Sequence, residues 1–251
     1  SKVATTKAPK ISQKELQQPD EFQTLGERAL QHITDNRKWY ILGIIALFVI
    51  AGVVSGVRAI IDHRTEKISK MYADALESFD APIVEENEEN KENKPEGLYF
   101  PTEEAKYLAA LQKFESLQQS YSGSNFGYMA LFYIGDCHFK LKRYDKAAEY
   151  YARFTDEGSS DLDSLKFVAR HNLAQALEMQ GKLDDAIKQY DEILNSSDKV
   201  WREQAYFFKG YLLEKQDKKE DAVKMYEKMI EEFPESQLKS KAEKRLMMLK
   251  G

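Results

Sequence analysis

The sequence predicts an all-α protein in which one apolar helix near the N-terminus is followed by a solenoid of helical hairpins. Two observations carry this. The run from Trp39 to Val57, WYILGIIALFVIAGVVSGV, holds no charged residue. Downstream, three stretches of the chain align with one another at a regular spacing, the signature of stacked structural repeats.

The chain has 251 residues, a formal charge of -5, 42% hydrophobic and 31% charged residues, which supports one ordinary domain plus additional segments. A lone cysteine, Cys137, excludes an internal disulfide framework and a four-cysteine metal site. With 42 Asp and Glu against 37 Lys and Arg, the chain lacks the dense positive charge with which nucleic-acid-binding proteins neutralise phosphates. No nucleic-acid partner is expected.

Taken in order, residues 1–38 form an N-terminal lead. Positions 1–20 are polar, contain proline and have the composition of a tail. From Glu21 to Lys38 the apolar residues Phe22, Leu25, Ala29 and Ile33 make one stripe, so a short amphipathic helix is expected.

Residues 39–61 read as a membrane-spanning helix. Nineteen residues at 1.5 Å rise make about 28 Å, close to the hydrocarbon thickness of a bilayer, and Trp39 and Tyr40 stand where an interfacial aromatic belt belongs. A core helix of a soluble protein would carry a polar stripe over this length. A cleaved signal peptide would have a shorter apolar region behind a short basic one, whereas 38 residues precede this run. No cysteine follows the apolar stretch at a lipoprotein-type position. Net charge is +2 before the span and -7 from Arg58 onward, which favours an N-terminus in the cytoplasm; the Lys and Arg nearest the span are almost balanced.

Residues 62–251 form the solenoid. Ile68, Tyr72, Ala75 and Leu76 keep a helical period from Asp62 to Phe79, so the membrane helix is expected to run on into the aqueous domain. An acidic insertion over 81–101 follows, with APIVEENEENKENKPEG at its heart; its composition describes an exposed loop, and it lacks the Asp spacing and positioning glycine of a calcium site. The three repeats then place a small residue at Ala147, Ala186 and Ala222, a tyrosine four residues later at Tyr151, Tyr190 and Tyr226, and a further small residue twelve positions earlier at Gly135, Ala174 and Gly210. Small residues permit close helix approach, and the tyrosine is expected to fill the gap towards the next hairpin. Pro234 stands where the last of these helices should stop. These positions resemble tetratricopeptide repeats. A degenerate copy precedes them, with Ala110, Phe114 and Leu117 on its second helix. A final amphipathic segment, Ser236 to Lys250, reads as a cap, for about three and a half repeats plus a capping helix.

No catalytic, cofactor-binding or metal constellation is present: the four histidines form no i, i+4 pair, and there is no P-loop, GxGxxG or nucleophile elbow. No cofactor and no enzymatic activity are expected. Cys137 and His138 are adjacent but occupy repeat slots that serve packing. The groove lined by the first helix of each hairpin is the candidate partner-binding surface. By repeat position it contains Phe132, Asp136 and Phe139, then His171 and Gln175, then Phe207 and Tyr211, an aromatic and weakly charged lining suited to apolar or extended polypeptide. A clamp of Lys, Asn and Arg for an acidic chaperone tail is absent, because Phe132 and Asp136, and later Gln204 and Phe208, stand at its positions.

The order of parts, with NRKWYILG at the membrane, one span, a helix continuing from it and a few hairpins, resembles the bacterial YfgM-like family of ancillary subunits of the SecYEG translocon. The acidic insertion and the long lead depart from that pattern. The resemblance implies a single-pass protein of the bacterial inner membrane, N-terminus cytoplasmic and repeats periplasmic, in contact with membrane lipid through residues 39–61. Its implied partners are a SecYEG-type translocon, a PpiD-type periplasmic chaperone and emerging polypeptide. A scaffold in another envelope complex, for secretion or motility, fits the same parts.

Overall fold

The computed structural model describes residues 28, 30–85, 96–196 and 199–251. The expected tail over 1–20, the amphipathic positions Phe22, Leu25 and Ala29, and most of the acidic run lie outside the described residues. Every extended element among the described residues is helical, apart from one isolated bridge. The chain divides into two compact units, one ending at His63 and one from Arg64 to Gly251.

In the first unit, residues 30–35 are helical and turn at Asn36, whose carbonyl accepts from the backbone N–H groups of Trp39 (2.9 Å) and Tyr40 (3.2 Å). Helix α1, Arg37–Asp80, starts there and is long and apolar enough to cross a membrane. None of its most apolar eighteen residues is buried, and Leu47 and Phe48 are 67% and 74% exposed.

In the second unit the remainder of α1 packs through Ile68 and Ala75 on α2 (Glu103–Tyr121), where Tyr107, Ala110, Leu111, Phe114 and Leu117 are buried with them. These two helices are the degenerate leading hairpin. Between them, Val84 N–H donates to the Phe100 carbonyl (2.9 Å) and Phe100 N–H to that of Pro82 (3.0 Å), so the acidic insertion leaves and returns through one bridge. Thr102 and Ser124 cap the helices that follow them, their hydroxyls accepting from Ala105 and Gly127 N–H.

Three repeat hairpins come next: α3 (Asn125–Lys140) with α4 (Tyr144–Glu157), α5 (Asp163–Met179) with α6 (Leu183–Asn195), and α7 (Arg202–Lys215) with α8 (Lys219–Glu232). A 3-10 turn, Ser160–Leu162, takes up the extra length after the first. Helix α8 ends just before Pro234, and α9 (Lys239–Lys250) closes the stack by burying Ala242. Each repeat hairpin turns in the same way. Lys142, Gly181 and Asp217 each adopt a positive φ (58°, 74° and 57°), and the next N–H donates back to the carbonyl of His138, Leu177 and Leu213 respectively. This is the left-handed C-terminal motif that ends a helix and reverses the chain.

The repeat spacing is borne out. Ala147, Ala186 and Ala222 are fully buried, and the tyrosines that follow them are buried. The tyrosine lies across the small residue of its own first helix and also meets the next element of the stack: Tyr151 is buried with Leu173 and Ala176, Tyr190 stacks on Phe208 at 6.0 Å, and Tyr226 is buried with Ala242. A methyl group on Gly135 would stand 2.8 Å from the Tyr151 ring, and one on Gly210 would stand 2.9 Å from that of Tyr226. The glycines make room for a ring rather than for a backbone.

Candidate functional site

The first helix of each repeat hairpin carries the candidate groove residues, and their surroundings differ by residue type. Phe132 is half-buried in the first hairpin, with its ring near those of Tyr133, Tyr151 and Phe154. Phe139 meets Tyr144 edge-on at 5.3 Å. Phe207 lies against Phe208 and Tyr226, and Tyr211 sits beside two cations, Lys215 at 5.1 Å and Arg245 at 5.4 Å from its ring centre. These ring contacts join the two helices of each hairpin, and that of Tyr211 with Arg245 reaches the capping helix.

The polar members are engaged. Asp136 Oδ1 accepts from the Tyr151 hydroxyl (2.5 Å) and from Asn172 Nδ2 (3.2 Å), which joins α3 to α4 and to α5 of the next hairpin. Burial pushes its carboxyl up to about 6, against the two hydrogen bonds and nearby Lys140, which pull it down. His171 reaches in the same sense, from the second hairpin to the third. Its Nδ1 lies 2.9 Å from the Tyr190 hydroxyl, its Nε2 3.1 Å from Gln175 Nε2, and its ring 4.7 Å from that of Phe208 in the third hairpin. Desolvation lowers its affinity for a proton. Beneath it is a cavity of about 50 Å³ lined by Phe167, Tyr190, Trp201, Gln204 and Phe208.

Several polar residues that the repeat pattern passed over complete the lining. Glu178 of the second hairpin accepts from Lys215 of the third (2.5 Å), and Glu214 accepts from Tyr226 (2.5 Å) and from Arg245 of the capping helix (3.1 Å). A legible signal existed for Glu178 and Lys215, opposite charges about one repeat apart. Asn172 and Arg245 had none. The carboxylates of Asp136, Glu178 and Glu214 are thus matched by donors of the chain itself.

Cys137 and His138 pack as expected. Cys137 is fully buried in the core shared by α2 and α3, with its thiol pushed up by burial, and His138 stacks on Tyr150 at 5.6 Å. No cluster of three metal-ligating side chains occurs among the described residues.

The fold, the repeated Gly–Tyr pairing and the common turn geometry agree with the comparison to known families, in which the tetratricopeptide repeat-like domain matches residues 31–250. The chain belongs to this family. No curated protein matches it. Among solved structures, a tetratricopeptide repeat protein from Parabacteroides merdae ATCC 43184 is 13% identical with a TM-score of 0.51, covering 72% of this chain and 61% of that one. YrrB, described as a TPR protein with an unusual peptide-binding site, is 22% identical with a TM-score of 0.44, covering 55% and 66%. MamA is 16% identical with a TM-score of 0.43, covering 58% and 87%. At these identities the likeness is one of fold. Tetratricopeptide repeats are protein-interaction folds.

Proposed function

We propose that this repeat protein is anchored in the bacterial inner membrane by residues 39–61, with its N-terminus in the cytoplasm and its repeats in the periplasm. There it acts as an ancillary subunit of a SecYEG-type translocon, holding emerging polypeptide or a PpiD-type chaperone. One observation carries the reading. The unburied apolar stretch is continuous, within the single helix α1, with the first helix of the solenoid, and the family match begins at residue 31, upstream of that stretch. The apolar helix thus lies inside the family-matched region. Its length and its exposed Ile, Leu, Val and Phe side chains fit a bilayer.

The groove supports the partner chemistry. Its carboxylates are engaged within the chain, and the rings of Phe132, Phe139, Phe207 and Tyr211 offer apolar contact to an extended segment. The reading assigns the protein no bond-making step; it holds and hands on.

Protease accessibility in cells, with a tag at each end, tests the reading. Digestion of the repeat domain only after the outer membrane is opened is the expected outcome. Protection until the inner membrane is broken would place the repeats in the cytoplasm and end the periplasmic account.

A further inference from the structure

The joint between the second and third repeat hairpins encloses the cavity beneath His171, and the polar groups around that cavity do not balance. Gln175 Nε2 donates to His171 Nε2 (3.1 Å), which leaves the proton of the neutral ring on Nδ1, 2.9 Å from the Tyr190 oxygen. The tyrosine oxygen therefore accepts, and its own hydrogen remains to be donated. No acceptor takes that hydrogen among the described residues. Gln204, on the first turn of α7, lines the same cavity, and its Oε1 is buried with no hydrogen-bond partner among the described residues. One donor and one acceptor are thus left over around one small space. A buried polar group without a partner destabilises, and a ligand group that pairs with it recovers the loss.

The other walls are apolar, made by Phe167, Ile193, Trp201 and Phe208. Phe167, His171, Trp201 and Phe208 are half-buried rather than buried, so the rim of the cavity reaches the surface. Its volume of about 50 Å³ has room for roughly four water-sized groups, which suits a short branched side chain and not a ring. We propose that this cavity is a side-chain pocket of the groove and takes a threonine of an extended polypeptide, whose hydroxyl accepts from Tyr190 and donates to Gln204 Oε1. The threonine methyl group then meets the rings. Valine fills the same space but leaves both polar groups unpaired, and alanine leaves the walls uncovered as well. The assignment rests on the reading of the repeats as a holder of polypeptide, and narrows that reading to a side-chain preference.

The test uses the full chain in lipid nanodiscs, with the indole N–H resonances of Trp39 and Trp201 followed by nitrogen-15 NMR. The probes are three blocked heptapeptides of one leucine- and alanine-containing sequence that differ only at the central residue, which is threonine, valine or alanine. The threonine peptide should shift the Trp201 resonance and leave that of Trp39 in place, and should bind about tenfold more tightly than the valine peptide. Gln204→Leu replaces the unpaired acceptor with an apolar group of similar size, so it should fold and should lose that preference. Equal affinity of the wild type for the threonine and valine peptides overturns the proposal, and so does a preference that survives in Gln204→Leu. Binding that never moves Trp201 would mean that the pocket holds water only; the proposal falls while the polypeptide reading stands. If none of the three peptides binds, both fall together.

Discussion

The first and second repeat hairpins occupy equivalent places in the stack yet solve one packing problem in two ways. In the first, Tyr151 lies over Gly135 and its hydroxyl runs forward to Asp136, the next residue on α3. In the second, the small slot is Ala174, and the Tyr190 hydroxyl meets His171 instead, nearly a turn earlier on α5. The third hairpin returns to glycine, with Tyr226 over Gly210 and bonded to Glu214. The repeat thus specifies a buried tyrosine and a small residue beneath it. The polar partner of the hydroxyl is chosen locally, and with it the charge that each joint carries.

The largest effect expected from breaking this comparison comes from the glycines. Gly135→Ala or Gly210→Ala puts a methyl group within 2.8 or 2.9 Å of ring carbons on a fully buried tyrosine. Overpacking of this kind costs roughly 1–3 kcal/mol. The reverse change, Ala174→Gly, meets no ring and should cost only about 1 kcal/mol, the helix-propensity difference. Denaturation midpoints of the three variants check this. Equal losses at all three sites would mean that the second hairpin has the same clearance as the others, contrary to its tyrosine's different course.

How far the sequence could be read follows the same division. The positions that recur, Ala147, Ala186, Ala222 and their tyrosines, are legible because each must be small or aromatic for any hairpin to close. The capping helix and the degenerate leading hairpin were legible from helical period alone, since Ala242, Phe114 and Leu117 face inward wherever the exact register falls. The partner of each tyrosine hydroxyl was not. A spacing of four residues says that the ring and the alanine share a face, but not which polar side chain the hydroxyl meets. The engaged state of Asp136 was also hidden, because Asn172 lies 36 residues away and an asparagine beside a histidine carries no pattern. Repeat position alone therefore did not show that Asp136 ties α3 to α4 and α5.

A smaller effect sharpens the contrast between joints. His171 is the buried base of the second joint, as Asp136 is the buried acid of the first, and desolvation holds its folded pKa below the usual 6.5. The stabilisation that goes with its neutral form is present above the unfolded value. It is lost as pH falls through 6.5 towards the lower folded value, by no more than about tenfold in the unfolding constant per pH unit. Acidification should therefore loosen the contact between the second and third hairpins. His171→Phe should flatten the acid-side loss of stability, measured by chemical denaturation between pH 7 and 5. If the variant kept the wild-type slope, the imidazole would not be the group that responds.

The smallest effect lies in the turns. All three repeat hairpins reverse through a left-handed residue, but only the second supplies glycine, at Gly181; the others place Lys142 and Asp217 there. A side chain in this conformation costs roughly 1–2 kcal/mol against glycine, less for Asp, which can bond locally. Glycine also gives back some of this through the greater freedom of its unfolded chain. Lys142→Gly should therefore stabilise by about 0.5–1 kcal/mol, Asp217→Gly by less, and Gly181→Ala should destabilise by about 1 kcal/mol. Thermal midpoints in the same nanodiscs would rank the three. A loss of stability at Lys142→Gly would show that the lysine side chain contributes at that turn something its backbone angle conceals, and that the two hairpins differ there for a reason beyond tolerance.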